Sequence, residues 1–551
     1  MNKFAIAAIL TVSSALIPNT QAVGAGLVYP EGAQPAAAPQ TCEQLAQLAL
    51  PNTKITTAQT VAAGAFAPPA NMTPWLAGDP NFYKGLPSFC RVTATSKPTA
   101  DSDIKIEVWL PTGGWNGKFR GQGNGGFAGE IDYHLLGLAV LQGYASAATD
   151  TGHAAEGGDA TWALGHPEKI IDFAYRAIHV MTTVGKATAK AFYGDGAQHS
   201  YFASCSNGGR QALMEAQRYP DDYDGILAGA PANYWTHLLG AALWNAQATT
   251  SDPASYIPAS KIPTIAKAVN ESCDAKDGVT DGVLNDPRQC HFDPTVLLCK
   301  AADSNACLTQ PQVTALKKLY QGPRDAKGQQ IFPGYVPGGE EGGGGWALWI
   351  TGPAPGKSLT FVFGGGFFSD MVYEKPDWDY KKANLDDSVA AADKKFATVL
   401  NATETNLKPF ESHGGKLIIY HGWNDSGISP LNSINYYESV ETKMGKHDAD
   451  SFLRLFMVPG MQHCGGGPGP DVFGAAGFSS PNDPQHNMYL ALEQWVEKGA
   501  APSTVIATKE AASGSAGGVK VTRPLCAYPQ VAKYKGSGDT NDAANFTCGT
   551  P

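Results

Sequence analysis

The chain has 551 residues, 43% of them hydrophobic and 16% charged, a globular composition with room for one large domain carrying an insertion, or for two domains. A formal net charge of −10 argues against nucleic acid or an anionic membrane surface as a partner. Beyond the first residues no stretch is long and apolar enough to span a bilayer, so no membrane partner is expected.

Residues 1–22 carry Lys3, an apolar run over 4–16 and a small-residue ending at Thr20-Gln21-Ala22, which is the pattern of a secretory signal. The run is too short for a transmembrane anchor, and no cysteine follows it to carry a lipid. A secreted or periplasmic location is expected. Residues 23–40, rich in Ala, Gly and Pro, are expected to be poorly ordered. Residues 104–111 alternate like a strand. The chain then enters a glycine-rich turn over 123–129. A short strand is predicted at 144–148 and a helix of about five turns at 172–192. Next come a strand at 201–203, a helix at 208–219 and a strand at 226–230. This alternation predicts a mostly parallel sheet. The rhythm lapses over about 236–405, a segment that reads as a lid inserted into the sheet domain. It resumes near 414 with apolar runs at 416–420 and 453–458 and an amphipathic helix at 487–498 bearing Met488, Leu490, Leu492 and Trp495.

The chemistry gathers at the strand ends. Ser204-Cys205-Ser206-Asn207-Gly208 lies between a strand and a helix, as a nucleophile does on the sharp turn of G-x-S-x-G, although Ser204 replaces the first glycine. Asp425 follows the run at 416–420 and His463 follows the run at 453–458. The order Ser206, Asp425, His463 is the chain order of the α/β-hydrolase triad and of no other common serine hydrolase fold. The glycine-rich turn lacks the lysine of a phosphate loop. It reads better as one side of an oxyanion hole, with the N–H of Asn207 on the other, than as a plain hairpin turn. Cys205 adjoins Ser206 and Cys464 adjoins His463, so a bond between them would tie the two loops. A rival reading, Cys205 as nucleophile with His463 as base, requires a free thiol. His153, His413 and His421 lie near predicted strand ends without metal-ligand spacing and read as structural.

Two further features stand in the lid segment. Residues 273–283 hold Asp274, Asp277 and Asp281 with glycines between them, which looks like a calcium loop of non-EF-hand spacing rather than a solvated acidic turn. The aromatics Trp346, Trp349, Phe367, Phe368, Trp378 and Tyr380 could serve as a platform for a phenolic ring or as lid core. Ten cysteines in an exported chain read as five disulfides rather than buried thiols. Proximity suggests Cys42–Cys90, Cys273–Cys290, Cys299–Cys307 and Cys526–Cys548, although sequence alone leaves connectivity open.

Taken together, Cys205-Ser206-Asn207-Gly208-Gly209-Arg210, Asp425 and His463-Cys464 resemble the tannase and feruloyl esterase family. Gly123-Asn124-Gly125-Gly126, Ala148-Thr149-Asp150-Thr151-Gly152-His153 and Arg523-Pro524-Leu525-Cys526 extend the likeness over nearly the whole mature chain. The resemblance implies an α/β-hydrolase fold made of residues 23–235 and 406–551, with a large inserted lid domain over 236–405. It implies a Cys205–Cys464 disulfide and Gly126 as the second oxyanion donor. It implies calcium held by the side chains of Asp274, Asp277 and Asp281 and the carbonyls of Val279 and Val283. The substrates it implies are small aromatic esters: feruloyl and other hydroxycinnamoyl esters, gallate esters, or mono(2-hydroxyethyl) terephthalate. The stretch from Phe367 to Tyr380 looks like the feruloyl esterase version and holds no arginine to clamp a terephthalate carboxylate. The non-enzymatic alternative is a binding module of the same fold that has lost catalysis.

Overall fold

Nine strands form one mixed sheet among the residues described by the computed structural model, which are 38–475, 481–510 and 521–551 apart from positions 71, 74, 75 and 77. The expected signal at 1–22 and most of the 23–40 stretch lie outside the described residues. The strands are β1 (Thr53–Val61), β2 (Phe89–Ser96), β3 (Ile104–Pro111), β4 (Lys118–Gln122), β5 (Ala145–Thr149), β6 (His199–Cys205), β7 (Gly225–Gly229), β8 (Lys416–Gly422) and β9 (Leu453–Val458). Their order is β1-β2-β3-β5-β4-β6-β7-β8-β9. From β5 to β9 every neighbouring pair is parallel. The β1–β2, β2–β3 and β3–β5 pairs are antiparallel, so the expected parallel sheet carries an antiparallel flank.

Parallel strands are covered on both faces, and the side chains divide accordingly. Phe202, Ile226, Ala228, Leu417, Ile419 and Leu455 pack on one face under the helices Ala177–Tyr193, Asn207–Arg218 and Leu431–Met444. Tyr201, Ala203, Leu227, Ile418, Tyr420 and Phe456 pack on the other, against Met488–Lys498. The alternation is the period of two that a strand imposes.

Several bounds differ from the sequence reading, for a common reason. The strand expected at 201–203 runs over His199–Cys205, because β4 and β7 flank it and the backbone ladder continues past its apolar centre. The helix expected at 208–219 begins one residue earlier, at Asn207. The helix expected at 172–192 is two pieces, a π-helical turn Asp172–Arg176 followed by Ala177–Tyr193.

From Ala230 to Gly415 the chain adds no strand to this sheet. This insertion is helical, with Trp235–Thr250, Ile262–Cys273, Gln310–Gln321, Leu359–Gly366 and Leu385–Leu400 as its larger pieces. Ser358 and Asn384 cap the last two by accepting first-turn N–H groups. Its apolar core takes in Phe127 and Phe173 from the sheet domain, so the two packings are continuous.

Candidate active site

β6 delivers Ser206 to the carboxyl end of the sheet. Ser206 sits at φ 68° and ψ −124°, in the left-handed half of backbone space. Holding a non-glycine residue there costs on the order of 1–3 kcal/mol and requires surroundings that over-determine it. They do: the Ser206 N–H donates to Gly229 O at 2.9 Å, and its carbonyl accepts from Ala232 and Arg210 N–H, each at 3.1 Å. The glycines of the motif are steric requirements. A Cβ on Gly208 would lie 1.9 Å from Ser204 Oγ, and one on Gly209 would lie 2.2 Å from Gly229 O. Ser204 is tolerated in the first glycine position because Gly123 and Gly208 leave room for its side chain.

The loops after β8 and β9 supply the other two groups. Asp425 is 3% exposed. Its Oδ1 accepts the N–H groups of Gly427 and Ile428 at 2.8 and 2.9 Å. Its Oδ2 lies 2.8 Å from His463 Nδ1, and His463 Nε2 lies 2.8 Å from Ser206 Oγ. A carboxylate at Nδ1 holds the imidazole proton there and leaves Nε2 to accept from the serine hydroxyl. Burial alone would raise the Asp425 carboxyl. The charge of His463 and hydrogen bonds from His421 and His463 overcome it and hold the group below the ordinary carboxylate value.

Cys205 and Cys464 are joined, with their Cα atoms 5.9 Å apart across 259 residues of sequence. The remaining cysteines pair as Cys42–Cys90, Cys273–Cys290, Cys299–Cys307 and Cys526–Cys548, and no cysteine is free. A Cys205 nucleophile is thereby set aside. Cys299, Asp303 and Cys307 also lie close together, but the two sulfurs bond each other and are no metal ligands.

Gly126, Ser206 and Asn207 border one cleft. Asn207 opens its helix, where first-turn N–H groups have no intrahelical acceptor. Gly126 has φ 52°, and a Cβ there would meet Gly157 O at 2.2 Å. Its loop is pinned to the helix that follows Ser206: Asn124 N–H donates to Gln211 Oε1 at 2.9 Å, and Gln211 Nε2 donates to Asn124 Oδ1 at 3.1 Å. Beneath the elbow, the fully buried Arg210 donates to Asn207 Oδ1 at 2.8 Å and to the carbonyls of Ala174 and Phe173 at 2.8 and 3.2 Å.

The rest of the cleft is mostly apolar, with Tyr335 and Thr360 its hydroxyl-bearing members. Trp235, Leu238, Leu239 and Ala242 line it from one insertion helix, Trp349, Thr360 and Phe363 from later turns, and Ile428 from the Asp425 loop. None of its lining residues is Asp, Glu, Lys or Arg. Trp349 stands edge-on to His463, ring centres 4.9 Å apart, and is stacked on Phe363 at 6.2 Å.

The structure divides the lid aromatics, which the sequence leaves open between ring platform and lid core: Trp349 borders the cleft and the others do not. Phe367, Phe368, Met371 and Val372 belong to the insertion core, Trp378 packs against Phe368, and none of the 367–380 stretch borders the cleft. Trp346 is buried elsewhere in the insertion. The wall formed by Trp235–Thr250 was missed because almost every side chain of that helix is buried, so no apolar stripe marks the cleft-facing residues. His421, read only as structural, lies 3.0 Å from Asp425 Oδ2. Its spacing of four from Asp425, at the end of a strand, was the available signal.

The acidic loop closes on itself. Asp274 accepts from Asp281 and Gly282 N–H, Asp277 from Val279 and Asn285 N–H, and Asp281 from Val283 N–H and Arg523. Burial raises both Asp277 and Asp281, and repulsion from neighbouring carboxylates, Asp274 among them, adds to it.

The family model described as tannase and feruloyl esterase matches residues 90–549. An uncharacterized esterase of Xanthomonas campestris pv. campestris is 43% identical over 93% of this chain and 92% of its own. A probable feruloyl esterase B-2 of Aspergillus terreus is 33% identical over 83% of this chain and 86% of its own. Among solved structures, feruloyl esterase B from Aspergillus oryzae matches with a TM-score of 0.82 at 30% identity, over 92% of this chain and 99% of that one. Tannin acyl hydrolase from Aspergillus niger shares the fold, with a TM-score of 0.71 at 23% identity over 91% and 92% of the two chains. The chain is an α/β-hydrolase-fold carboxylic ester hydrolase and belongs to the tannase and feruloyl esterase family.

Proposed function

We propose that the protein is a secreted or periplasmic serine esterase that hydrolyses aromatic, hydroxycinnamoyl-type carboxylic esters through an acyl-enzyme. The observation that carries this reading is the unbroken hydrogen-bond chain from Ser206 Oγ through His463 to Asp425. Ser206 attacks the ester carbonyl while His463 takes its proton and then gives it to the leaving alcohol. Asp425 keeps the imidazole oriented and stabilises its cation. The N–H groups of Gly126 and Asn207 receive the oxyanion. Water, activated by the same histidine, releases the acid.

The insertion acts as the lid that forms the acyl pocket. Its walls suit a flat, uncharged ring, and the names of the feruloyl esterase relatives point the same way. A terephthalate monoester would bring a carboxylate into a cleft that offers it no cation, which disfavours that substrate. Five disulfides suit an oxidising compartment.

For calcium, the donor chemistry fits. Three carboxylates, drawn into one another's field by turns at Gly278 and Gly282, offer only hard oxygen ligands. Asp274, Asp277 and Asp281 would hold the ion with the carbonyls of Val279 and Val283. It would relieve the repulsion among the carboxylates and stabilise the insertion.

The deciding experiment is turnover of methyl ferulate, methyl gallate and mono(2-hydroxyethyl) terephthalate by the wild type and by Ser206→Ala. Ferulate should be the best of the three, and Ser206→Ala should be inactive on all. Retained turnover by Ser206→Ala would sink the mechanism, and a preference for the terephthalate ester would sink the substrate reading.

A further inference from the structure

Asp425 Oδ2 is shared by two imidazoles. His463 Nδ1 approaches it at 2.8 Å, and His421 Nε2 approaches it at 3.0 Å. His421 is the last residue but one of β8, is 0% exposed, and has two further partners: Ile428 O at 3.1 Å from Nε2 and Ser433 Oγ at 2.7 Å from Nδ1. These contacts settle its tautomer. Both partners of Nε2 are acceptors, an ionised carboxylate and a carbonyl, so Nε2 carries the proton. Nδ1 then accepts from the Ser433 hydroxyl, which itself is fully buried.

We propose that His421 is a positioning residue for the proton-transfer machinery, acting through Asp425 on His463. This rests on the triad reading above. A buried carboxylate has four or so lone-pair directions to satisfy, and any left unmet costs free energy and invites rotation. Here the Gly427 and Ile428 amides occupy Oδ1, and the His421 and His463 rings occupy Oδ2. The first three donors come from the β8 end and its own loop, so the carboxylate is oriented before His463 meets it. His421 thus fixes the plane in which Oδ2 faces Nδ1 of the base. The same N–H bridges to Ile428 O, which joins the Asp425 loop to the strand and holds Ile428 at the cleft wall. Ser433, from the helix Leu431–Met444, keeps the ring in the donating tautomer.

The test uses the full-length protein and an aryl ester, with Ser206→Ala as an independent control for the serine mechanism. His421→Leu removes the donor, and His421→Gln keeps an N–H near the Nε2 position. Loss of a group that orients the triad should appear in kcat: about 30–100-fold lower for His421→Leu with KM within about twofold, and about fivefold or less for His421→Gln. A purely structural role would instead make both variants lose activity in step with their melting temperature, or raise KM. Equal losses in the two variants, or wild-type kcat in folded His421→Leu, would overturn the proposal. Should the leucine variant not fold, Ser433→Ala decides: it should lower kcat about three- to tenfold at an unchanged KM, and wild-type kcat there would equally overturn it. Because Ser206→Ala reports on the serine mechanism alone, failure of the His421 proposal and failure of the triad reading give different results.

Discussion

The loops that carry Ser206, Asp425 and His463 and the insertion meet at one cleft but are built by opposite rules. Ser206, Asp425 and His463 each sit just past the end of a parallel strand, and each is held by several directional contacts at 2.8–3.1 Å and by a disulfide between two of the loops. The insertion contributes apolar surface from helices whose other faces are core. Proton transfer needs particular atoms within about 3 Å of each other, whereas an apolar wall needs only area and shape. The first region should therefore respond to the change of a single atom. The second should tolerate swaps that conserve volume.

The largest effect expected from that contrast is on the polar side. His463→Ala and Asp425→Asn should each lower kcat by about 10³–10⁵-fold with little change in folding, and the losses should not add, since the groups act as a unit. Activity assays on both variants and on the double variant, with circular dichroism for folding, check this.

Next is the covalent tie. Replacing both Cys205 and Cys464 with Ala should lower kcat about 10–100-fold by loosening the Ser206 and His463 loops against each other. In the chain-entropy model the lost crosslink also costs about 5.5 kcal/mol, because it closes a loop of 259 residues. Full activity in the double variant would show that the hydrogen bonds alone hold the loops.

Within the insertion, two aromatics separate wall from core. Trp349→Ala should raise KM for aryl esters about 5–20-fold with a small change in melting temperature. Phe368→Ala should do the reverse, losing about 3–5 kcal/mol of stability while KM stays near wild type. If the two variants behave alike, the division between cleft wall and core is drawn in the wrong position.

The acidic loop gives a smaller effect. Chelation should lower the melting temperature by roughly 3–8 °C and leave kcat in the folded protein unchanged, since a ligand bound only to the native state stabilises by mass action. Metal analysis finding no calcium, with melting insensitive to chelator, would remove the ion from the account.

The smallest concerns acid. The Asp425 carboxyl is held below its unfolded value, near 3.9. Its contribution to stability is therefore complete above that value and fades as pH falls through the folded one. The stability deficit of Asp425→Asn against wild type should be flat from about pH 6 to 8 and shrink below about pH 4. A deficit that grows on acidification would contradict the depressed carboxyl.

Much of the polar region was legible without coordinates. Ser206, Asp425 and His463 are each announced by an apolar run that ends in a chemically able residue, and a strand end is a local feature. Gly208 marks the tight approach of helix to strand for the same reason, since its steric conflict lies with Ser204, four residues away, whereas that of Gly209 lies with Gly229 on the neighbouring strand. The sequence by itself thus determined the strand–helix rhythm, the placing of Ser206, Asp425 and His463 at strand ends and the residues of the acidic loop. Only the tertiary structure decided that Trp235, Trp349 and Phe363 line the cleft while Phe367 and Phe368 do not, that the β1–β2, β2–β3 and β3–β5 pairs are antiparallel, and that His421 meets Asp425. Apolar periodicity records that a side chain is buried, but not which neighbour buries it. For a helix enclosed on every side, as Trp235–Thr250 is, that neighbour is chosen by packing at long range.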